Sequence, residues 1–217
     1  MVTAILTLFF NLNTVLPQLI NQFGNTFYLL IFLLIFIETG VVVLPFLPGD
    51  SLLFLCGSLA AMTSSSLNPV LLIMVTGLAA TLGDSLNFEI GKLFGHHISN
   101  SANWRKIIKP QNLQKSELFF QRHGNPAIFL GRFIPVVRTL VPFTAGGSKM
   151  TYRNFLIYNV AGGFSWVVLG VMSGFIFGNV EMIRDNFSLI MVVIVMISLI
   201  PMIFVAVRNH LVSKRVS

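Results

Sequence analysis

The stretch GRFIPVVRTLVPFTAGG, residues 131–147, is apolar enough to enter a bilayer, yet it carries two arginines and two prolines. Proline cannot donate a helical hydrogen bond, and it disfavours helix in the residue that precedes it. Backbone that is not helical is tolerated at membrane depth only where protein shields it or where it lines a water-filled cavity. We therefore predict that residues 126–147 form a re-entrant hairpin, which enters the membrane, turns and leaves on the same side. A pair of kinked spanning helices is the alternative.

The rest of the chain has the composition of a membrane protein. Of its 217 residues, 55% are hydrophobic and 10% are charged, and its mean hydropathy is +0.84. A soluble domain carries about 25% charged residues, so we predict a single integral membrane domain over residues 1–217. Residues 1–37 carry no charged side chain, and we therefore expect no cleavable signal peptide. The single cysteine, Cys56, excludes a disulfide within the chain.

A second apolar segment, residues 27–62, is interrupted by ETGVVVLPFLPGD and is also predicted to be a re-entrant hairpin. Since a spanning helix needs about 20 apolar residues, three unbroken segments are predicted to span: residues 68–91, 154–178 and 187–207. The predicted fold is an all-α polytopic membrane protein, with two opposed re-entrant hairpins and about three to four transmembrane helices. The sequence leaves open whether residues 1–26 cross the membrane.

Prolines and glycines mark the turns of both predicted hairpins. Proline stops a helix, and glycine lets the backbone approach a ligand or another helix closely. The residues that we assign to hairpin turns are Pro45, Pro48, Gly49, Pro135, Pro142, Gly146 and Gly147.

The order of a hairpin followed by a span occurs twice, which suggests an internal repeat. The span after the first hairpin ends in GKLFG, residues 91–95, and the span after the second ends in GFIFG, residues 174–178. Paired interrupted segments in two halves indicate a transporter of the inverted-repeat type, with its binding site where the repeats meet.

Basic residues indicate which side of the membrane each loop occupies. The polar linker of residues 92–125, the segment after the second hairpin and the C-terminus together carry Lys92, Arg105, Lys106, Lys109, Lys115, Arg122, Lys149, Arg153, Arg208, Lys214 and Arg215. The loop before the last span has one basic residue, Arg184. Cytoplasmic loops are rich in Lys and Arg, so we predict a cytoplasmic linker and C-terminus. No nucleic-acid partner is expected, because the basic residues are not interleaved with aromatics in a soluble module.

Four ionisable residues lie inside the broken segments: Glu38, Asp50, Arg132 and Arg138. A charge at the membrane centre costs about 2.5–3.5 kcal/mol on insertion scales, so each of them needs a partner or water. They either form two structural ion pairs that lock the hairpins together, or they bind and release a ligand. Arginine binds phosphate through two parallel hydrogen bonds, and a carboxyl group in a low dielectric can hold a proton at accessible pH. We predict that Arg132 and Arg138 bind phosphate and that Glu38 and Asp50 couple to protons.

Other polar residues are less informative. Asp84 lies near one end of the predicted span 68–91, where it caps a helix or joins the proton route, and Glu89 is expected to be a surface acid. The four histidines lack a plausible metal spacing, so we expect no metal and no cofactor. No histidine lies in a hairpin and no Ser/His/Asp set is evident, so we do not expect an enzyme.

Three motifs together resemble the DedA family, within the SNARE-associated or VTT superfamily of membrane proteins. They are ETG-x4-PFLPGDSLL (residues 38–53), GD-x3-F-x-IG-x3-G (residues 83–95) and GRFIP-x2-RT-x2-P-x2-AG (residues 131–146). The resemblance implies a transporter of lipids in the bacterial cytoplasmic (inner) membrane, with two facing re-entrant hairpins. Several members are implicated in returning undecaprenyl phosphate for reuse, and others in phospholipid movement. The functional acids and arginines of the family match Glu38, Asp50, Arg132 and Arg138, whereas Phe88 stands where members often have Tyr.

These observations favour a multi-pass flippase for undecaprenyl phosphate or a similar anionic lipid, with the lipid and protons as its partners. A proton/cation antiporter of small ions is one alternative, and it would need the acids more than the arginines. A phospholipid flippase or scramblase is another, and a scaffold in which the charges only hold the fold is a third. The sequence leaves homo-oligomer formation open.

Overall fold

The computed structural model describes residues 20–40, 49–61, 66–98, 110–134, 137–148 and 150–180. Within these ranges the chain is helical and contains no strand, which confirms the all-α prediction for this part of the protein. The helices are α1 (Asn25–Gly40), α2 (Gly49–Ala60), α3 (Pro69–Ile98), α4 (Pro110–His123), α5 (Ala127–Gly131), α6 (Val137–Gly147) and α7 (Tyr152–Gly178). Pro45, Pro48, Pro135 and the predicted span 187–207 lie outside the described residues.

Two helices are long and apolar enough to cross a membrane. Pro69–Leu93 of α3 has 25 residues and contains an 18-residue window with a mean hydropathy of 1.6, and the 27 residues of α7 contain such a window with a mean hydropathy of 1.8. At about 1.5 Å per residue both exceed the bilayer core of about 30 Å. Large apolar side chains of α3 are exposed, as lipid contact requires: Val70, Leu71, Met74, Leu78, Leu82, Leu86 and Leu93. These two helices coincide with the predicted spans 68–91 and 154–178.

The predicted linker, residues 92–125, is partly helical in the structure. Helix α3 continues through its first residues to Ile98, and α4 occupies its second half. Helix α4 packs on α6, where Ser116 Oγ lies 2.9 Å from Thr144 Oγ1 and Leu113 contacts buried Leu140 and Phe143. The polar helix therefore covers one face of the helix that carries Arg138.

Each of the two broken segments contains two helices. The first contains α1 and α2, and the second contains α5 and α6. Helices α5 and α6 pack against each other, because Gly131 at the end of α5 faces Val141 and Val137. Residues 132–134, after α5, are not helical, as the sequence predicts for the second segment, whereas residues 41–48 of the first lie outside the described residues. The re-entrant path of each segment stays a prediction.

The assignment of Pro142 to a hairpin turn is wrong, because Pro142 lies inside α6 and is buried there. Proline in a helix removes one backbone hydrogen bond, here the bond to the carbonyl of Arg138, and packing can offset this loss. Gly146 and Gly147 are also not in a hairpin turn, because they are the last two residues of helix α6. Gly49 is the first residue of α2.

The chain divides into two compact units, each with its own packing. The larger unit comprises Asn25–Leu47 and Val70–Leu169. Its main buried cluster contains Phe88, Ala127, Ile128, Val141, Ala145 and Phe155. The rings of Phe88 and Phe155 stack with their centroids 4.4 Å apart. Phe88, where members of the resembled family often have Tyr, is therefore a core residue in this chain.

Within the larger unit, α3 and α6 cross at two glycines. A Cβ atom on Gly91 would strike the backbone of Phe143, and one on Gly146 would strike the backbone of Phe88. The contact is therefore reciprocal. The glycine of each helix packs against the backbone carbonyl of a residue on the other helix, and that residue lies three positions before the other helix's own glycine. We call this contact a glycine crossing, and it brings the two backbones as close as helices can pack.

The smaller unit, comprising Met1–Gly24, Pro48–Pro69 and Gly170–Ser217, contains a second glycine crossing, between α2 and the end of α7. A Cβ atom on Gly57 would strike the backbone of Val171, and one on Gly174 would strike the backbone of Phe54. The three-residue spacing is the same on both helices. In each unit the second helix of a broken segment crosses the end of a long helix in one register, which supports the proposed internal repeat.

Candidate anion site

Two buried ion pairs form in the larger unit. Arg138 Nη2 donates to Glu38 Oε1 at 2.7 Å, and Arg132 Nη2 contacts Asp84 Oδ2. The side chains of Glu38, Asp84 and Arg132 are at most 6% exposed, and that of Arg138 is 20% exposed. The structure thus brings together four of the residues that the sequence singles out, and each arginine has a carboxylate of its own.

The broken segment places the two arginines. Arg132 directly follows α5, and Arg138 is the second residue of α6. Because the helix is interrupted between them, the directions of the two side chains are not fixed by the periodicity of a single helix. Their partners come from elsewhere, since Glu38 lies near the end of α1 and Asp84 lies within α3.

The ion pairs lie at middle depth along the long helices. Asp84 is 15 residues after Pro69 and nine before Leu93, which is about 22 Å and about 14 Å along the helix axis. Ionisable groups at such a depth face the protein interior or a water-filled cavity, and they mark substrate or proton pathways in most membrane proteins.

Arg132 is held by a network of polar groups. Its Nη2 atom donates to Asn159 Oδ1 at 2.9 Å as well as to Asp84, and the Ala80 carbonyl lies 3.4 Å away. Asn159 in turn donates from Nδ2 to the Thr81 carbonyl at 2.9 Å. The Nε–H group of Arg132 is buried and has no hydrogen-bond partner among the residues that the structure describes. One strong donor of this arginine is therefore available to an additional acceptor.

Trp166 contacts both arginines. The Cζ atom of Arg132 lies 5.9 Å from the centre of its ring, and that of Arg138 lies 5.4 Å from it. Both distances are within the range of a cation–π interaction. Trp166 was not predicted from the sequence, although an aromatic ring with a polar edge in a predicted span is a weak signal for such a contact.

Asn87 ties the two sides of the Glu38–Arg138 pair together. Its Nδ2 atom donates to the carbonyl of Thr139 at 2.7 Å and lies 3.4 Å from the carbonyl of Thr39. These two residues directly follow Arg138 and Glu38 in the chain. Asn87 and Asn159 were not predicted from the sequence. The one sign that could have pointed to them is an amide side chain within an apolar span.

A small cavity lies between these groups. It is lined by Glu38, Thr39, Asp84, Arg132, Arg138, Thr139 and Trp166. The space open to the centre of a water molecule is about 20 Å³, which suffices for about one water. Two arginines and two acids make the lining neutral when all four are ionised. In this closed arrangement the carboxylates occupy the positions in which an anion would meet the guanidinium groups.

The remaining acids lie elsewhere. Asp50 belongs to the smaller unit, where it is exposed in the first turn of α2, a favourable place for an acid because of the helix dipole. Its role in proton coupling stays a prediction. Glu89 is exposed and pairs with Lys92 at 3.5 Å. Among the described residues, no group of three His, Cys, Asp or Glu side chains could hold a metal ion.

Comparisons with known proteins identify relatives along most of the chain. The chain matches the VTT domain family over residues 47–176, a range that contains Asp84, Arg132 and Arg138. It is 40% identical over 200 residues to Protein DedA of Escherichia coli K12, covering 92% of this chain and 91% of that protein.

Two further relatives are named as membrane proteins. An uncharacterized membrane protein of Mycobacterium tuberculosis is 36% identical over 188 residues, or 87% of this chain and 82% of that one. Inner membrane protein YqjA of E. coli K12 is 29% identical over 177 residues, or 82% of this chain and 79% of that one. No solved structure matches the chain. The resemblance found in the sequence motifs is confirmed, and this chain belongs to the DedA family of VTT-domain membrane proteins.

Proposed function

We propose that this protein is a proton-coupled transporter that carries undecaprenyl phosphate or a similar anionic lipid across the cytoplasmic membrane. One observation carries the proposal most directly: two arginines, each paired with its own carboxylate, line a single cavity midway along the long helices. The Nε–H group of Arg132, which has no acceptor within the described part of the chain, adds a donor for a further acceptor. Two guanidinium groups match the charge of about −1.5 to −2 that a phosphate monoester carries at neutral pH.

The carboxylates would act as placeholders for the phosphate. Arginine stays protonated at any working pH, so Arg132 and Arg138 need counter-charges when no ligand is bound. Glu38 and Asp84 supply these charges in the closed arrangement. When the two acids take up protons, they release the guanidinium groups, and the phosphate replaces them. Proton uptake and phosphate binding are thus linked, because each favours the other.

The size of the cavity implies a conformational change during transport. A space of about 20 Å³ for water centres does not accept a phosphate group beside the resident carboxylates. Phosphate entry therefore requires the acids to withdraw and the helices α1, α3, α6 and α7 to separate locally. The interruption between α5 and α6 supplies a place where the chain can bend without breaking a continuous helix.

A small-ion proton/cation antiporter is the second candidate, and the buried carboxylates favour it. Such a protein would use Glu38 and Asp84 to bind the cation and the proton in turn. The arginines would then be counter-charges, and a lysine at either position would keep much of the activity. A phospholipid flippase would use the same site as the main proposal with a different lipid.

Reconstitution into proteoliposomes tests the proposal. Wild type, Arg132→Ala and the matched control Arg153→Ala, which removes an exposed arginine, are compared in vesicles loaded with undecaprenyl phosphate. The lipid that reaches the opposite leaflet is measured with and without a pH gradient. We expect gradient-sensitive transport in wild type and Arg153→Ala and its loss in Arg132→Ala. Absence of transport from folded wild type, together with proton flux driven by a small cation, would favour the antiporter.

A further inference from the structure

One face of α7 forms a seat for Arg132. Asn159, Gly162, Gly163 and Trp166 are spaced so that they share this face. Asn159 accepts a hydrogen bond from the guanidinium group, and Trp166 places its ring beneath it. A Cβ atom on Gly162 would lie 3.4 Å from Arg132 Cδ, and one on Gly163 would lie 3.4 Å from Nη2. These are ordinary contact distances, so the arginine side chain lies directly beside the two glycines along the helix.

The same ring also faces the second arginine. Arg138 Cζ lies 5.4 Å from the centre of the Trp166 ring, and Trp166 lines the cavity together with both arginines. One indole therefore bridges two cations that come from opposite sides of the interruption between α5 and α6. The negative face of an aromatic ring attracts a cation without being titrated.

This contact matters most when the acids have left. In the closed arrangement each guanidinium group is paired with a carboxylate, so the Trp166 ring adds little to the stabilisation of its charge. After Glu38 and Asp84 are protonated or displaced, two like charges remain in a low dielectric, where their repulsion is strong. The indole is then a cavity-lining group that faces both guanidinium groups and does not titrate.

We propose that Trp166 is a positioning residue of the anion site, which holds the guanidinium groups of Arg132 and Arg138 in position to bind one lipid phosphate between them. This inference rests on the proposed function and deepens it. The ligand class is a phosphate monoester on an apolar chain. The face of α7 that holds Arg132 then determines specificity for the ligand, because it fixes the distance between the two guanidinium groups that the phosphate must bridge.

Tryptophan fluorescence tests the proposal, since the chain has two tryptophans and Trp104 lies outside the described residues. In a Trp104→Phe protein, Trp166 is the single tryptophan. Undecaprenyl phosphate in detergent is titrated, with undecaprenol and inorganic phosphate as separate probes. Binding is measured independently with radiolabelled lipid. We expect a saturable change of emission with the lipid phosphate that undecaprenol does not produce and that Arg138→Ala abolishes.

Two substitutions test the role of the ring itself. Trp166→Leu is expected to weaken binding of the lipid phosphate about tenfold, and Trp166→Phe, which keeps a ring face, by less than about threefold. Elution as a single species in detergent shows that each variant is folded. Equal binding by folded Trp166→Leu and wild type would overturn the proposal, as would an equal emission change with undecaprenol. Those outcomes leave the proposed function intact, whereas absence of radiolabelled lipid binding to folded wild type contradicts the proposed function itself.

Discussion

Glu38 and Arg138 are separated by 100 positions in the chain, and their side chains meet in a hydrogen bond of 2.7 Å. Asn87, on a third helix, binds the backbone next to both of them. The pair is therefore positioned at two levels, by direct charge attraction and by an amide that links the carbonyls of Thr39 and Thr139. Substitution of each of these residues is therefore expected to change transport or stability in its own way.

The proposal of phosphate binding predicts that lysine cannot replace Arg138. The substitution Arg138→Lys keeps the charge but removes the planar fork that makes two parallel hydrogen bonds to phosphate. We expect lipid transport to fall at least about tenfold at equal protein level, as measured in proteoliposomes. Activity equal to that of wild type would contradict bidentate binding and favour a role as a simple counter-charge.

The pair of Arg132 and Asp84 predicts a large loss of stability when only the acid is removed. Asp84→Asn leaves a buried guanidinium group without its counter-charge, which costs about 3–5 kcal/mol in comparable pairs. The expected result is a lower midpoint of thermal unfolding in detergent. The double substitution Asp84→Leu with Arg132→Met is expected to recover most of the stability, because it removes both charges.

The same double variant separates a structural role from a functional one. If the charges only hold the fold, the recovered protein should transport lipid as wild type does. The proposed function predicts instead a folded protein without transport. Thermal unfolding and proteoliposome assays on one preparation distinguish these outcomes.

Asn87→Ala tests the amide that positions the Glu38–Arg138 pair. The variant leaves the carbonyl of Thr139 without this donor, and we expect the free energy of unfolding to fall by about 1–3 kcal/mol. Ser85→Ala is the matched control on α3, because the Ser85 hydroxyl donates to the carbonyl of Thr81 within its own helix at 2.8 Å. Equal effects of the two substitutions would show that Asn87 has no special role.

The glycine crossings predict which glycines tolerate alanine. Gly57→Ala and Gly146→Ala would each place a methyl group against the backbone of a neighbouring helix. Overpacking of this kind costs about 1–3 kcal/mol. Gly77→Ala is the control, because the atoms nearest to its methyl group would belong to the side-chain ring of Phe164 and not to backbone. The midpoint of thermal unfolding should fall clearly for Gly57 and Gly146 and less for Gly77.

The sequence predicted the charged members of the site because a charge in an apolar segment is conspicuous. It did not predict which acid pairs with which arginine, since pairing depends on how distant helices pack. Arg132 meets Asp84 of α3, an acid that the sequence left between capping and proton transfer. Asn87, Asn159 and Trp166 were missed, because neutral side chains in a span carry no comparable signal.

The fold was predicted to a similar extent. Hydropathy and length placed α3 and α7, and the predicted interruption of the second segment placed the end of α5. The prediction of a turn at Pro142 was wrong. Proline disfavours a helix by a local effect, and the packing of the buried residue in α6 overrides that effect. The register of the glycine crossings could not be read from the sequence, since it requires knowledge of which backbones touch.

The separation of the paired residues along the chain also bears on how the protein is made. Asp84 precedes Arg132 by 48 positions, and Glu38 precedes Arg138 by 100. At a synthesis rate of about 5–20 residues per second, each acid is synthesised several seconds before its arginine. Until the second half of the chain has been made, neither acid has the counter-charge that it meets in the folded protein.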